Sequence, residues 1–385
     1  MQLKVRFKMF NGLRSSSLEA DKNIQAFFTL LRAGLWEDVD CTDFGAQGFT
    51  EPIDWEEVYR LAEEQSVVGL VLAGIEHSYV KPPQELLLQW IGEVQIIEQQ
   101  NKSLNDYLAK LIELLRNKDV YAILIKGQGV AQCYDKPLWR SSGDIDLLLS
   151  EGEYEKAKAL LLPLTIDVEK EYKSFKHQGM TMEGGHVVEL HGTVHSRLSK
   201  RIDKGVDEAQ NDVFYGGNVR SWHNGRTPVF LPGVDSDVIF VFTHILHHFY
   251  IEGIGLRQIC DWCRLLWTYR SKLDLQLLES RIRKMELMSE WKVFYNLANR
   301  CLGMPDYGSG LMVHDSRYDK KADRVMEFVL ESGNFGHNRE KTHGKIQSAW
   351  SKTKDFARHS RVFPLDSIKF FWHFLWNGVE LAIIK

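Results

Sequence analysis

The chain has 385 residues, 44% of them hydrophobic and 26% charged, with a formal net charge of -4. That length suffices for a packed core and for more than one packing unit. The charge gives no overall case for nucleic-acid binding, although a local basic groove is compatible with it. The five cysteines, Cys41, Cys133, Cys260, Cys263 and Cys301, are scattered. Only Cys260 and Cys263 are close, as C-D-W-C, and no second pair completes a zinc site. We read them as structural thiols on one helix face in a reducing compartment. The basic start, MQLKVRFKMF, leads into no apolar stretch of signal-peptide length, and no run approaches a transmembrane span, which predicts a cytoplasmic protein.

Residues 1–118 have helical character. Ile24, Phe27, Phe28 and Leu31 recur at helical spacing, predicting a helix over 22–35. Asp54 suits an N-cap with Glu57 as its capping-box partner, and Trp55, Val58, Leu61 and Ala62 carry the apolar stripe behind it. The run VVGLVLAGI stops at Pro82-Pro83, and one long helix follows to about Lys118 with a wet face rich in Gln, Glu and Lys. Then the period changes. Residues 120–125 predict a strand ending at Lys126-Gly127, residues 128–134 a helical turn, and 145–149 a second strand entered at Asp144. A helix is expected over 152–162, and a hairpin over 175–194 turning at Glu183-Gly184-Gly185. Residues 195–233 read as irregular strands or loops. Helices are expected over 235–250, 256–269, 274–302, 320–331 and 366–383, the last apolar on more than one face. This pattern gives an α+β fold with an α/β core and three regions: helical 1–118, a central domain 119–233, and helical 234–385.

The chemistry concentrates in the central region. Asp144 and Asp146 leave one face of a strand, and Glu189 and His191 repeat that spacing on what should be the neighbouring strand. Three gathered carboxylates demand cations, and Mg²⁺, with Mn²⁺ as the alternative, prefers such oxygen ligands. Two such ions could bridge the α-phosphate of a nucleoside triphosphate, with Asp144, Asp146 and Glu189 as metal ligands and catalytic residues. Gly127 lets backbone N–H groups approach phosphate, while Arg140, Ser141 and Ser142 stand immediately before the carboxylates as candidate β- and γ-phosphate contacts. The bland alternatives are a polar strand opening for D-x-D and a loop-fixing ion pair for Arg140.

The pieces Lys126-Gly127, Arg140-SSG-Asp144-Ile-Asp146-Leu-Leu and Glu189-Leu-His191 resemble the DNA polymerase beta-like nucleotidyltransferase superfamily. They are closest to its uncharacterised bacterial branch. The resemblance covers about residues 120–195. It implies a small mixed sheet flanked by helices, a nucleoside triphosphate substrate, and Mg²⁺-dependent transfer of a nucleoside monophosphate. The usual Gly-Ser pair is here Gly127-Gln128, whose bulkier side chain retains a hydrogen-bond donor. A weaker echo, HHFYIEGIGLRQICDW, makes Arg257 a further candidate triphosphate contact.

Outside the motif, His244 and His248 lie four apart on a helix without the glutamate of a zinc-protease motif. His191 can orient Glu189 or touch substrate. The apolar C-terminal helix can be buried or form a homodimer seam. The preferred reading is a nucleotidyltransferase acting on a small molecule, a protein side chain or an RNA end. The alternative is a non-catalytic adaptor that retains the fold and binds nucleotide or a protein partner.

Overall fold

A computed structural model describes residues 21–36, 52–171, 176–251, 253–308, 310–334, 356, 358–364 and 366–370. In chain order the elements are α1 (Lys22–Leu35), α2 (Trp55–Glu64), α3 (Val68–His77) and α4 (Gln84–Arg116). Then come β1 (Ile123–Ile125), α5 (Gly127–Ala131), β2 (Asp144–Leu148), α6 (Glu151–Leu161), β3 (Thr165–Val168), β4 (His177–Met182) and β5 (Val187–His191). The chain continues through α7 (Lys200–Phe214), β6 (Val219–Asn224), β7 (Thr227–Pro232), α8 (Val234–Ile251), α9 (Leu256–Thr268), α10 (Leu275–Lys284), α11 (Met288–Leu302) and α12 (Asp319–Ser332). Two compact units divide it: residues 1–94, 245–263 and 282–385 form one, and residues 95–244 and 264–281 the other.

The first unit is helical. Asp21 caps α1 by accepting from the Asn23 backbone N–H at 2.8 Å, and Asp54 accepts from Glu57 N at 3.2 Å to cap α2, as its spacing predicts. Helices α1 and α3 cross where both present glycine. A Cβ on Gly34 would stand 1.8 Å from Leu70 O, and one on Gly74 1.9 Å from Leu30 O, so only hydrogen fits at either point. The single helix expected over 274–302 is two, α10 and α11. Glu286 takes φ 54° between them. No Gly or Pro marks this break, which leaves Met285 and Leu287 fully buried. Phe370 is buried, and its ring meets Tyr250 edge-on at 4.7 Å. The rest of the expected C-terminal helix, and with it any dimer seam, lies outside the described residues.

The second unit carries a seven-stranded mixed sheet ordered β3-β4-β5-β2-β1-β7-β6, giving the α+β class read from the sequence. At its centre β2 runs antiparallel to β1 and parallel to β5. One sheet face is core: Leu124, Ile145, Leu147, Leu149, Met180, Met182, Val188 and Leu190 pack with Leu104, Leu108 and Leu111 of α4 and Tyr154 of α6. Each such aliphatic side chain contributes about 1.5–3 kcal/mol on burial. Strand alternation then sends Asp144, Asp146, His177, Glu189 and His191 to the opposite face.

Residues 195–233 are more regular than their composition suggests. They hold α7 and the β6–β7 hairpin. Ser199 caps α7 by accepting from Ile202 N at 3.2 Å, and Ile202, Val206, Ala209 and Val213 form its buried stripe. These residues recur at i, i+4, i+7 and i+11, a helical period that the reading of loops passed over among the many polar residues between them.

Candidate functional site

Registration of the central strands sets the site. Asp146 lies beside Glu189 across the parallel β2–β5 pair, and Ile125, just before Lys126, lies beside Asp146 across β1–β2. The carboxylate oxygens of Asp144, Asp146 and Glu189 fall within 4.8 Å of one another. Lys126 closes the group from β1, with Nζ 2.8 Å from Asp146 Oδ1. His191 Nε2 is 2.8 Å from the same oxygen and 3.4 Å from Glu189 Oε2.

Lys126 reaches that position through an uncommon backbone conformation, φ 55° and ψ -145°, followed by Gly127 at φ 37°. A lysine there stores roughly 1–3 kcal/mol of strain. Its ion pair with buried Asp146 offsets part of that cost. Burial alone would lower the Lys126 pKa, but the Asp146, Glu189 and Asp144 carboxylates outweigh it and raise it above the ordinary lysine value. Burial would likewise push Glu189 up. Instead His177, His191 and Lys126 hold it well below the usual carboxylate range. His191 is opposed by burial yet raised above its ordinary value by Asp146 and Glu189. The group is thus a network of carboxylates with cations already directed at them. Glu189 keeps 28% of its side-chain surface exposed, so the network opens to solvent.

The loop before β2 is held from below. Asn101 of α4, 1% exposed, donates to Leu138 O and Arg140 O at 2.8 Å each and accepts from Gln128 Nε2 at 2.7 Å. Trp139 Nε1 donates to Glu98 Oε2 at 3.0 Å. Arg140 is buried and donates to Ser142 Oγ at 2.6 Å and Ser141 O at 3.2 Å, stiffening its own loop. Gln128 therefore faces α4 with its amide donor engaged, rather than presenting that donor as the sequence comparison suggested.

Of the residues singled out from sequence, Lys126, Gly127, Gln128, Arg140, Ser141, Ser142, Asp144, Asp146, Glu189 and His191 all belong to the sheet-bearing unit. Arg257 belongs to the helical unit, where its backbone N–H lies 3.4 Å from Gln65 O. Cys133, Cys260, Cys263 and Cys301 are buried free thiols, and burial pushes Cys260 well above its ordinary pKa, as suits structural cysteines. Among the described residues His244 and His248 join no three-ligand cluster.

Two residues escaped the sequence reading. Asn101 looked like part of a solvated helix face, and no local signal marks it. His177 lies directly opposite His191 across the β4–β5 hairpin, with Nε2 3.2 Å from Glu189 Oε2. Counting outward from the Gly184-Gly185 turn would have found it, because hairpin register is fixed by the turn.

The profile of a family described as uncharacterised nucleotidyltransferase matches residues 51–303, well over half of the chain. The protein belongs to this family. Searches of curated proteins and of solved structures return no match. For this nucleotidyltransferase-family protein, membership supports transferase activity in general. The acidic and histidine cluster is compatible with metal binding. No helix among the described residues is long and apolar enough to cross a membrane.

Proposed function

We propose that this protein transfers a nucleoside monophosphate from a nucleoside triphosphate to a hydroxyl-bearing acceptor, with Mg²⁺ or Mn²⁺ held by Asp144, Asp146 and Glu189, as in the DNA polymerase beta-like superfamily. The observation that carries this is the convergence of those three carboxylates within 4.8 Å on adjacent strands. Three oxygen donors on a partly open face suit a hard divalent cation. When bound there it would neutralise charge on the α-phosphate and the leaving pyrophosphate.

The remaining work falls to the chain. Lys126 has donors beyond the one directed at Asp146, and these can meet triphosphate oxygens as the nucleotide enters. The N–H of Gly127, beside strained Lys126, can contribute to the same grip. Arg140 and the Asn101 bonds fix the loop bearing Ser141 and Ser142, so those hydroxyls arrive preorganised. Glu189 would bind the catalytic ion and help take the acceptor proton.

Calorimetry with ATP, GTP, CTP and UTP, with and without Mg²⁺, tests this reading beside Asp146→Asn. Saturable Mg²⁺-dependent binding, abolished by the substitution, supports it, and labelling of an acceptor from an α-labelled triphosphate would complete it. Folded wild type that binds no nucleotide at millimolar concentration sinks it. One observation favours a second reading. Asp146 is already satisfied by Lys126 and His191, as in an adaptor that keeps the fold without the chemistry. Nucleotide binding without any transfer would support that adaptor.

A further inference from the structure

We propose that His177, Glu189 and His191 form a nitrogen-rich site for a first-row transition-metal ion such as Zn²⁺, beside the carboxylate set. This deepens the transfer reading and rests on it only for what the ion would serve. The three residues come from one hairpin. His177 and His191 are cross-strand partners, and Glu189 sits two residues before His191, so all three side chains leave the same face. The imidazole rings are 4.8 Å apart at their centroids and tilted by 49°, so the two rings face one region without stacking.

Both Nε2 atoms lie near one oxygen, and because the His191 Nε2 hydrogen bond runs to Asp146 Oδ1 at 2.8 Å, an ion bound here would draw His191 from that partner. His177 Nε2 is 3.2 Å and His191 Nε2 3.4 Å from Glu189 Oε2, and the three donor atoms lie within 4.8 Å of one another. A tetrahedral ion with bonds of about 2.1 Å sets its ligand atoms about 3.4 Å apart, so these spacings match a ligand shell. They also match a carboxylate bonded between two imidazoles, and chemistry separates the two cases. Two imidazoles and a carboxylate with an open side suit Zn²⁺ and its neighbours, whereas Mg²⁺ prefers oxygen alone.

Glu189 belongs to both donor sets. The site would therefore be asymmetric, nitrogen-rich on the β4 side and oxygen-rich on the β2 side, with one shared carboxylate.

The test uses the full chain, freed of metal by chelator dialysis and without nucleotide. Zn²⁺ is titrated calorimetrically and Co²⁺ by its visible absorption, in wild type and His177→Ala, with circular dichroism to establish folding. Wild type should bind Zn²⁺ in the presence of excess Mg²⁺ and give a Co²⁺ spectrum of a nitrogen-ligated ion. His177→Ala should weaken Zn²⁺ by at least roughly a hundredfold, since losing a group that merely orients a ligand already costs about 10–100-fold. Unchanged affinity in folded His177→Ala overturns the proposal. So does the absence of Co²⁺ bands in wild type, which decides the matter even if the variant fails to fold. Zn²⁺ binding without Mg²⁺-nucleotide binding would overturn the transfer reading alone. The reverse would overturn this site alone.

Discussion

Replacing Asn101 with alanine should both destabilise the sheet-bearing unit and loosen nucleotide binding. The side chain makes three hydrogen bonds, to Leu138 O, to Arg140 O and from Gln128 Nε2, with little solvent to replace them. Each bond is worth about 1 kcal/mol net, and a buried partner left orphaned costs about 1–3 kcal/mol. The Gln128 Oε1 already lacks a hydrogen-bond partner while buried, so its amide would lose its remaining anchor. We expect a loss of about 3–5 kcal/mol in urea unfolding. In the folded fraction, Mg²⁺-dependent nucleotide affinity should fall because Arg140, Ser141 and Ser142 lose their fixed register. Gln128→Leu combined with Asn101→Leu removes both partners of one bond and should cost less than the sum of the single changes. A stability change under about 1 kcal/mol, together with unaltered nucleotide affinity, would refute the view that Asn101 positions this loop.

Three other outcomes follow from the same geometry. Lys126→Met removes a cation competing for Asp146, so divalent-ion affinity without nucleotide should rise roughly tenfold while nucleotide affinity falls; calorimetry that shows both affinities moving together would contradict the dual role. Gly74→Ala places a Cβ 1.9 Å from the Leu30 carbonyl oxygen and should cost at least about 3 kcal/mol or prevent folding, read by thermal melting, and a variant as stable as wild type would contradict the close crossing of α1 and α3. Glu290, fully buried with Tyr250 Oη 3.2 Å away, is pushed up to about 8 by burial, with Asp366 adding to the rise. Its folded pKa is raised, so its contribution is full below the unfolded value near 4.5 and lost as pH rises through about 8. Glu290→Gln should therefore gain up to about 5 kcal/mol on wild type between acid and alkaline melts, and a difference independent of pH would refute the assignment.

The sequence by itself determined the local features. Helices α1, α2 and α4, the strand ending at Lys126, the D-x-D strand and the hairpin at Gly184-Gly185 all follow from periodicity, capping and turn chemistry, which act over a few residues. The same alternation placed Asp144 with Asp146 and Glu189 with His191, so most of the candidate site was legible before any fold was known. Tertiary structure decided what joins distant segments. It set the register that puts Glu189 beside Asp146, paired Lys126 with that carboxylate, and turned Gln128 toward α4. It also split 274–302 at Glu286, where no breaker stands, and buried Asn101 within an outwardly polar helix. Those outcomes depend on which surfaces meet. A hydrogen bond between residues 27 apart leaves no trace in the spacing of either segment, whereas the two-residue repeat of a strand is written along the chain.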